Sequence, residues 1–161
     1  MWTTSFKAMG ITSNISRDDV KGRFDAFLEQ IRQQQIKRLQ RLGEMCVTHA
    51  RNVPKEQGFQ DQTGNLRSSI GYAVFEDGVA IHTMYEAIKG GSEGARKGEA
   101  LANKVGSQKP GICLVVTAGM NYAIYVESKG RDVITSAEHM AERELPRMLA
   151  KLVQNIKRAA E

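Results

Sequence analysis

Three histidines, a short run of carboxylates and two adjacent serines are the side chains here whose types could do catalytic or metal chemistry. Their spacing argues against both. His49, His82 and His139 fall in three separate segments, without His-Glu-x-x-His or a comparable ligand interval, so no metal site is predicted. Glu127, Asp132, Glu138 and His139 lie near one another and could form an acid–base cluster, but no nucleophile with an activating partner accompanies them. Ser68 and Ser69 follow Arg67 as a nucleophile would in a reactive loop, yet the Gly-x-Ser-x-Gly elbow that aims such a serine is missing. Gly90-Gly91-Ser92-Glu93-Gly94 has the glycine content of a phosphate cradle, but no Gly-Lys-Ser/Thr follows it. The expectation is a protein without catalytic residues, cofactor or metal, and not an enzyme.

The elements that would position any site belong to one domain. The 161 residues, 41% hydrophobic and 25% charged, suit a single core that spans the whole chain. No apolar run approaches membrane length, Ile112-Cys113-Leu114-Val115-Val116 being typical of the longest. Met1 to Lys7 show no basic stretch leading into an apolar one, which predicts a product made and kept in the cytoplasm. Cys46 and Cys113, each among apolar residues, read as isolated buried thiols. The net charge of +5 and pI near 9.3 suit an acidic surface or nucleic acid, although the basic residues are spread along the chain.

After residues 1–15, expected to be flexible, Ser16-Arg17-Asp18-Asp19 marks a helix start: a hydroxyl to cap the first turn and carboxylates against the positive helix end. Val20, Phe24, Phe27, Leu28, Ile31, Leu39, Leu42, Cys46 and Val47 recur at steps of three and four up to about Asn52. That helix is a rod of roughly 50 Å. Its polar middle, Arg32 to Arg38, is either a solvated waist or a surface for a neighbouring subunit, and Val53-Pro54 ends it.

Thr63-Gly64-Asn65-Leu66-Arg67-Ser68-Ser69-Ile70 has two readings. Thr63 caps one helical turn, or residues 66–70 alternate as a strand; in both, Leu66 and Ile70 point inward, and Gly64 permits a bend or positive φ. Tyr72 to Phe75 and Val79 to Tyr85 are strands joined through Asp77-Gly78, the favoured pair for a tight hairpin. Residues 112–117 make a third strand. Between strands two and three, residues 86–111 read as a Gly-rich, basic, mobile insertion with one weak helix over Glu99 to Val105. A last amphipathic helix starts at Thr135 or Ser136, and Pro146 should kink or restart it. The fold class is α+β: long N- and C-terminal helices packed on a small antiparallel sheet of three or more strands.

Asn121-Tyr122-Ala123-Ile124-Tyr125-Val126-Glu127 completes a pattern. A long helix running into Pro54, then Thr63-Gly64-x-Leu66-Arg67-x-Ser69-Ile70, a hairpin, Tyr122-Ala123-x-Tyr125-Val126-Glu127 and a closing helix is similar to the tail-completion or neck proteins of long-tailed bacteriophages, the minor tail protein Z-like group. The resemblance covers roughly Cys46 to Leu152. It departs at Ser128-Lys129-Gly130-Arg131, where such proteins commonly have Gly-Thr, and in the length of the Gly-rich insertion.

The resemblance implies a virion structural protein, made in the bacterial host, that assembles as a low-copy ring between the head connector and the tail terminator or tail tube. Pro54, Thr63, Gly64, Leu66, Arg67, Ser69, Ile70, Tyr122, Ala123, Tyr125 and Glu127 would then serve structure and assembly. The excess positive charge would face channel DNA without reading its sequence. The alternative is a small basic nucleic-acid-binding α+β module, with the insertion on phosphates and Tyr72, Tyr122 or Tyr125 stacking on bases; packing within their segment is the plainer account of Tyr122 and Tyr125.

Overall fold

The computed structural model describes residues 16–161. The expectation for residues 1–15 lies outside them. Eight elements follow in order: α1 (Arg17–Arg51), α2 (Asn65–Ser69), β1 (Ile70–Glu76), β2 (Val79–Met84), α3 (Ser92–Gly106), β3 (Ile112–Ala118), α4 (Ala123–Ser128) and α5 (Thr135–Ala160). They form an α+β fold in which a three-stranded antiparallel sheet, ordered β2-β1-β3, carries the long helices.

α1 starts as its sequence demands. Ser16 Oγ accepts from the Asp19 backbone N–H at 3.0 Å, and the Asp19 carboxylate accepts from the Ser16 N–H at 3.2 Å, a reciprocal capping box. The helix then runs unbroken through the polar residues 32–38 to Arg51. The hairpin turns on Asp77 and Gly78, both at positive φ (48° and 82°), and β2 carries one extra residue opposite Val74-Phe75.

β1 is the centre of the molecule because both its faces are covered. Ile70, Tyr72 and Val74 join Leu42, Cys46 and Val47 of α1 and Ala137 of α5 in one core; Ala73 and Phe75, pointing the other way, join Ala102 of α3. The strand's period of two thus sorts its side chains between two helical layers.

The second layer corrects the reading of residues 86–111. Ser92–Gly106 is an ordered four-turn helix lying on the sheet, longer than the weak turn expected at 99–105. Its inner face is Gly94, Gly98, Ala102 and Gly106, all buried. A Cβ at Gly94 would collide with the Asn65 carbonyl, and one at Gly98 with that of Ser69. Small residues every fourth position let the helix backbone sit directly on α2 and β1.

Of the kink or restart expected at Pro146, the restart is not found: α5 passes Pro146 as one uninterrupted helix. Pro146 is on the exposed side, where water can satisfy the carbonyl that its missing N–H leaves free.

Candidate assembly surface

The two motif segments, distant in sequence, meet at one end of the sheet. Ser69 C=O accepts from Gly119 N–H at 3.2 Å, and Phe59, Leu66, Ile70, Met120, Ala123 and Val133 share one buried cluster. The Tyr122 phenol lies beside Asp61 and Thr63, and its pKa is raised by burial and then by the Asp61 charge.

Within the first segment, Pro54 closes the turn after α1, its carbonyl accepting from Gly58 N–H at 2.7 Å. Gly64, at φ 77°, takes the left-handed conformation anticipated for it and stands at the N-cap of α2. The helical-turn alternative is therefore the one found, with Gly64 rather than Thr63 at the cap; Thr63 Oγ1 accepts a long bond, 3.4 Å, from Asn65 N–H. Leu66 and Ile70 are buried.

Neither serine is poised as a nucleophile. Ser68 Oγ accepts from Ile88 N–H at 2.7 Å, and Ser69 Oγ donates to Leu66 C=O at 2.7 Å. Both hydroxyls satisfy backbone in the interior. Arg67 lies over the Phe59 ring at 5.7 Å while its backbone N–H is held by Asp61 at 3.2 Å. Its neighbour Arg51 donates to Ile70 C=O at 2.8 Å. Burial lowers the Arg51 pKa, Glu86 at 3.7 Å opposes that, and the nearby Arg67 charge adds to it. The buried Nε atoms of Arg51 and Arg67 have no hydrogen-bond partner among the described residues.

In the second segment Ala123 is buried, but Tyr125 is 63% and Ile124 80% exposed, with Tyr122 partly so. Tyr125 is largely in solvent, and its contact within the segment is with Lys129, whose Nζ lies 5.2 Å from the ring centre. Tyr122, Ile124 and Tyr125 give α4 an apolar outer face that the described residues leave open.

Glu127 has a defined task. One carboxylate oxygen accepts from the N–H groups of Val133, Ile134 and Thr135 at 3.3, 2.9 and 3.0 Å and from the Thr135 hydroxyl at 2.9 Å. Asp132 takes the next donor, Ser136 N–H, at 3.1 Å. The Ile134, Thr135 and Ser136 N–H groups at the α5 N-terminus are thus satisfied from outside the helix.

Of the candidate acid–base cluster, Glu127, Asp132 and His139 line one shallow cleft while Glu138 does not; Glu127 and Asp132 are engaged there as caps, and among the described residues His139 bonds Glu142, at 3.5 Å. His82 meets the Tyr72 hydroxyl at 3.0 Å. The sequence did not reveal one pair, His49 Nε2 and Ser136 Oγ at 2.9 Å across α1 and α5. Among the described residues no carboxylate bonds the other His49 nitrogen, where the orienting member of a catalytic triad would stand. Among the described residues no group of three potential ligands could hold a metal ion, and no helix is long and apolar enough to cross a membrane. Cys46 is buried and Cys113 half-buried; burial pushes both thiols up.

Comparisons of the chain with protein-family models, curated proteins and solved structures give no match.

Proposed function

We propose that the protein is a structural component of the head–tail junction of a long-tailed phage, a neck or tail-completion protein that assembles in low copy, as a ring, between the head connector and the tail terminator or tube. The observation carrying this reading is the meeting of the two motif segments. Ser68, Ser69 and Glu127 are committed to backbone and capping bonds, while Tyr122, Ile124 and Tyr125 turn an apolar face to solvent. Residues used this way build and present a contact surface. The net charge of +5 suits a ring around channel DNA through phosphate attraction alone.

The test is mass spectrometry of particles released by prophage induction in the source strain, with this chain quantified against the major capsid protein. A few copies per particle support the junction role. Deep coverage of capsid and tube proteins without this chain would overturn it and bring forward the nucleic-acid-binding alternative.

A further inference from the structure

Among the described residues, the N-terminal part of α1 has almost nothing packed against it. From Ser16 to Gln30 every residue except Phe27 is exposed, and the first ion pair from α1 to the body joins Arg32 and Glu76 at 2.6 Å. This overhang is about 22 Å long. It carries an apolar stripe in which Val20, Phe24 and Leu28 are 56, 59 and 46% exposed, continued by Phe27 and Ile31.

A groove of about 970 Å³ lies further along the same helix. Its base is on α1, and its walls include Leu114 and Val116 of β3 and Ala141, Leu145, Met148 and Leu149 of α5. At about 100° per residue, the overhang stripe and the α1 residues of the groove, Gln35, Arg38, Leu39, Leu42 and Cys46, fall within one arc of about 120°. Stripe and groove therefore open to the same side. The overhang cannot fold back into the groove of its own chain, because α1 is continuous between them.

We infer that the groove is the seat of the overhang of a second copy of this chain, exchanged reciprocally in an antiparallel two-fold dimer. Setting Val20 opposite Cys46 of the partner subunit puts Phe24 opposite the partner's Leu42 and Ile31 opposite the partner's Gln35. The same register read from the other copy is identical, so one interface fills both grooves. Gln33 meets its own copy at the axis, and Arg32 lies opposite the partner's Gln34.

Charge selects this orientation. Antiparallel, Arg17 and Lys21 come to the end of the groove that holds the partner's Glu138; a parallel stagger would bring them against the partner's Arg38 instead. The dimer is a property of the free chain and holds whether or not the protein joins a phage tail.

The experiment combines mass and contact. Sedimentation of the full chain should give twice the 17.8 kDa chain mass, and Phe24→Asp and Leu149→Asp, both at positions exposed in the single chain, should each weaken the dimer at least ~100-fold without unfolding it. With a photo-reactive benzoylphenylalanine at position 24 in a mixture of isotope-labelled and unlabelled chains, cross-links should join differently labelled copies and end in α5 or β3. Overhang-to-overhang links, links within one chain, a monomer at the highest soluble concentration, or masses that grow beyond two chains would each overturn the proposal. None of these outcomes depends on finding the chain in particles, so the junction role stands or falls separately.

Discussion

Glu127, in the last turn of α4, caps the first turn of α5: its Oε1 accepts from the Thr135 backbone N–H at 3.0 Å and from the Ile134 N–H at 2.9 Å. A motif carboxylate thereby becomes the joint between a one-turn helix that faces solvent and the helix that closes the core. Removing it leaves three backbone donors to water and takes a negative charge from a positive helix end. Glu127→Ala should lower stability by about 1–2 kcal/mol, and Glu127→Gln, which keeps an acceptor but not the charge, by about half that. Urea denaturation of the two variants checks the order; equal stability of both with the parent would mean that water caps α5 as well as Glu127 does.

Glycine-to-alanine changes should have opposite signs in the two helices. In a free helix the substitution gains up to ~1 kcal/mol from propensity, and Gly22 in α1 has nothing within 4 Å of its would-be Cβ. In α3 the same methyl at Gly94 would strike the Asn65 carbonyl and at Gly98 that of Ser69, and forcing α3 off the sheet costs about 1–3 kcal/mol or more. Thermal unfolding should therefore show Gly22→Ala raised or neutral and Gly94→Ala and Gly98→Ala clearly lowered. A stable Gly94→Ala would mean that α3 is not seated on α2.

How far the fold was legible in the sequence turns on the same helix. α1 and the hairpin were readable because their signals are local: a capping box at Ser16 and Asp19, and an Asp77-Gly78 pair between alternating apolar runs. α3 was read only in part, as the weak helix over Glu99 to Val105, because it makes its contact through backbone proximity. Its buried stripe is Gly94, Gly98, Ala102 and Gly106, which on a hydrophobicity scale looks like a mobile loop; the four-residue spacing of small residues was the available signal. For the candidate surface, the inward facing of Leu66 and Ile70 follows from pattern. The outward turn of Tyr125 and the capping role of Glu127 do not, since a single helical turn is too short for periodicity to fix its facing and the cap joins residues across a loop.

Stability should fall at high pH through two tyrosines. Tyr72 is buried, its pKa pushed up to about 12 by burial and then by the Glu44 charge, and Tyr85 is likewise raised to about 12, mainly by burial, with its hydroxyl 2.7 Å from Thr117 Oγ1. With an unfolded value near 10, both are neutral in either state below that pH, and their contribution is fully present there. Between about pH 10 and 12 the unfolded chain loses these protons first, so each tyrosine removes about 1.4 kcal/mol per pH unit. Tyr72→Phe should roughly halve that slope in denaturation curves taken across this range. An unchanged slope would place the alkaline loss elsewhere.

The outer face of α4 separates folding from assembly. Ile124 is 80% exposed and Tyr125 63%, so Ile124→Asp and Tyr125→Ser should change stability by no more than about 0.5 kcal/mol. In the proposed junction role the same positions meet a neighbouring protein, where an exposed aromatic and an apolar side chain are the residue types that carry contact energy and a buried, unpaired aspartate is costly. Complementation of a deletion in the inducible prophage should therefore fail with Ile124→Asp and weaken with Tyr125→Ser, although both proteins accumulate folded. Ala123→Asp, at a buried position of the same helix, should differ by lowering the amount of folded protein itself. Full complementation by Ile124→Asp would remove this face from the assembly and leave the motif segment with a purely internal role.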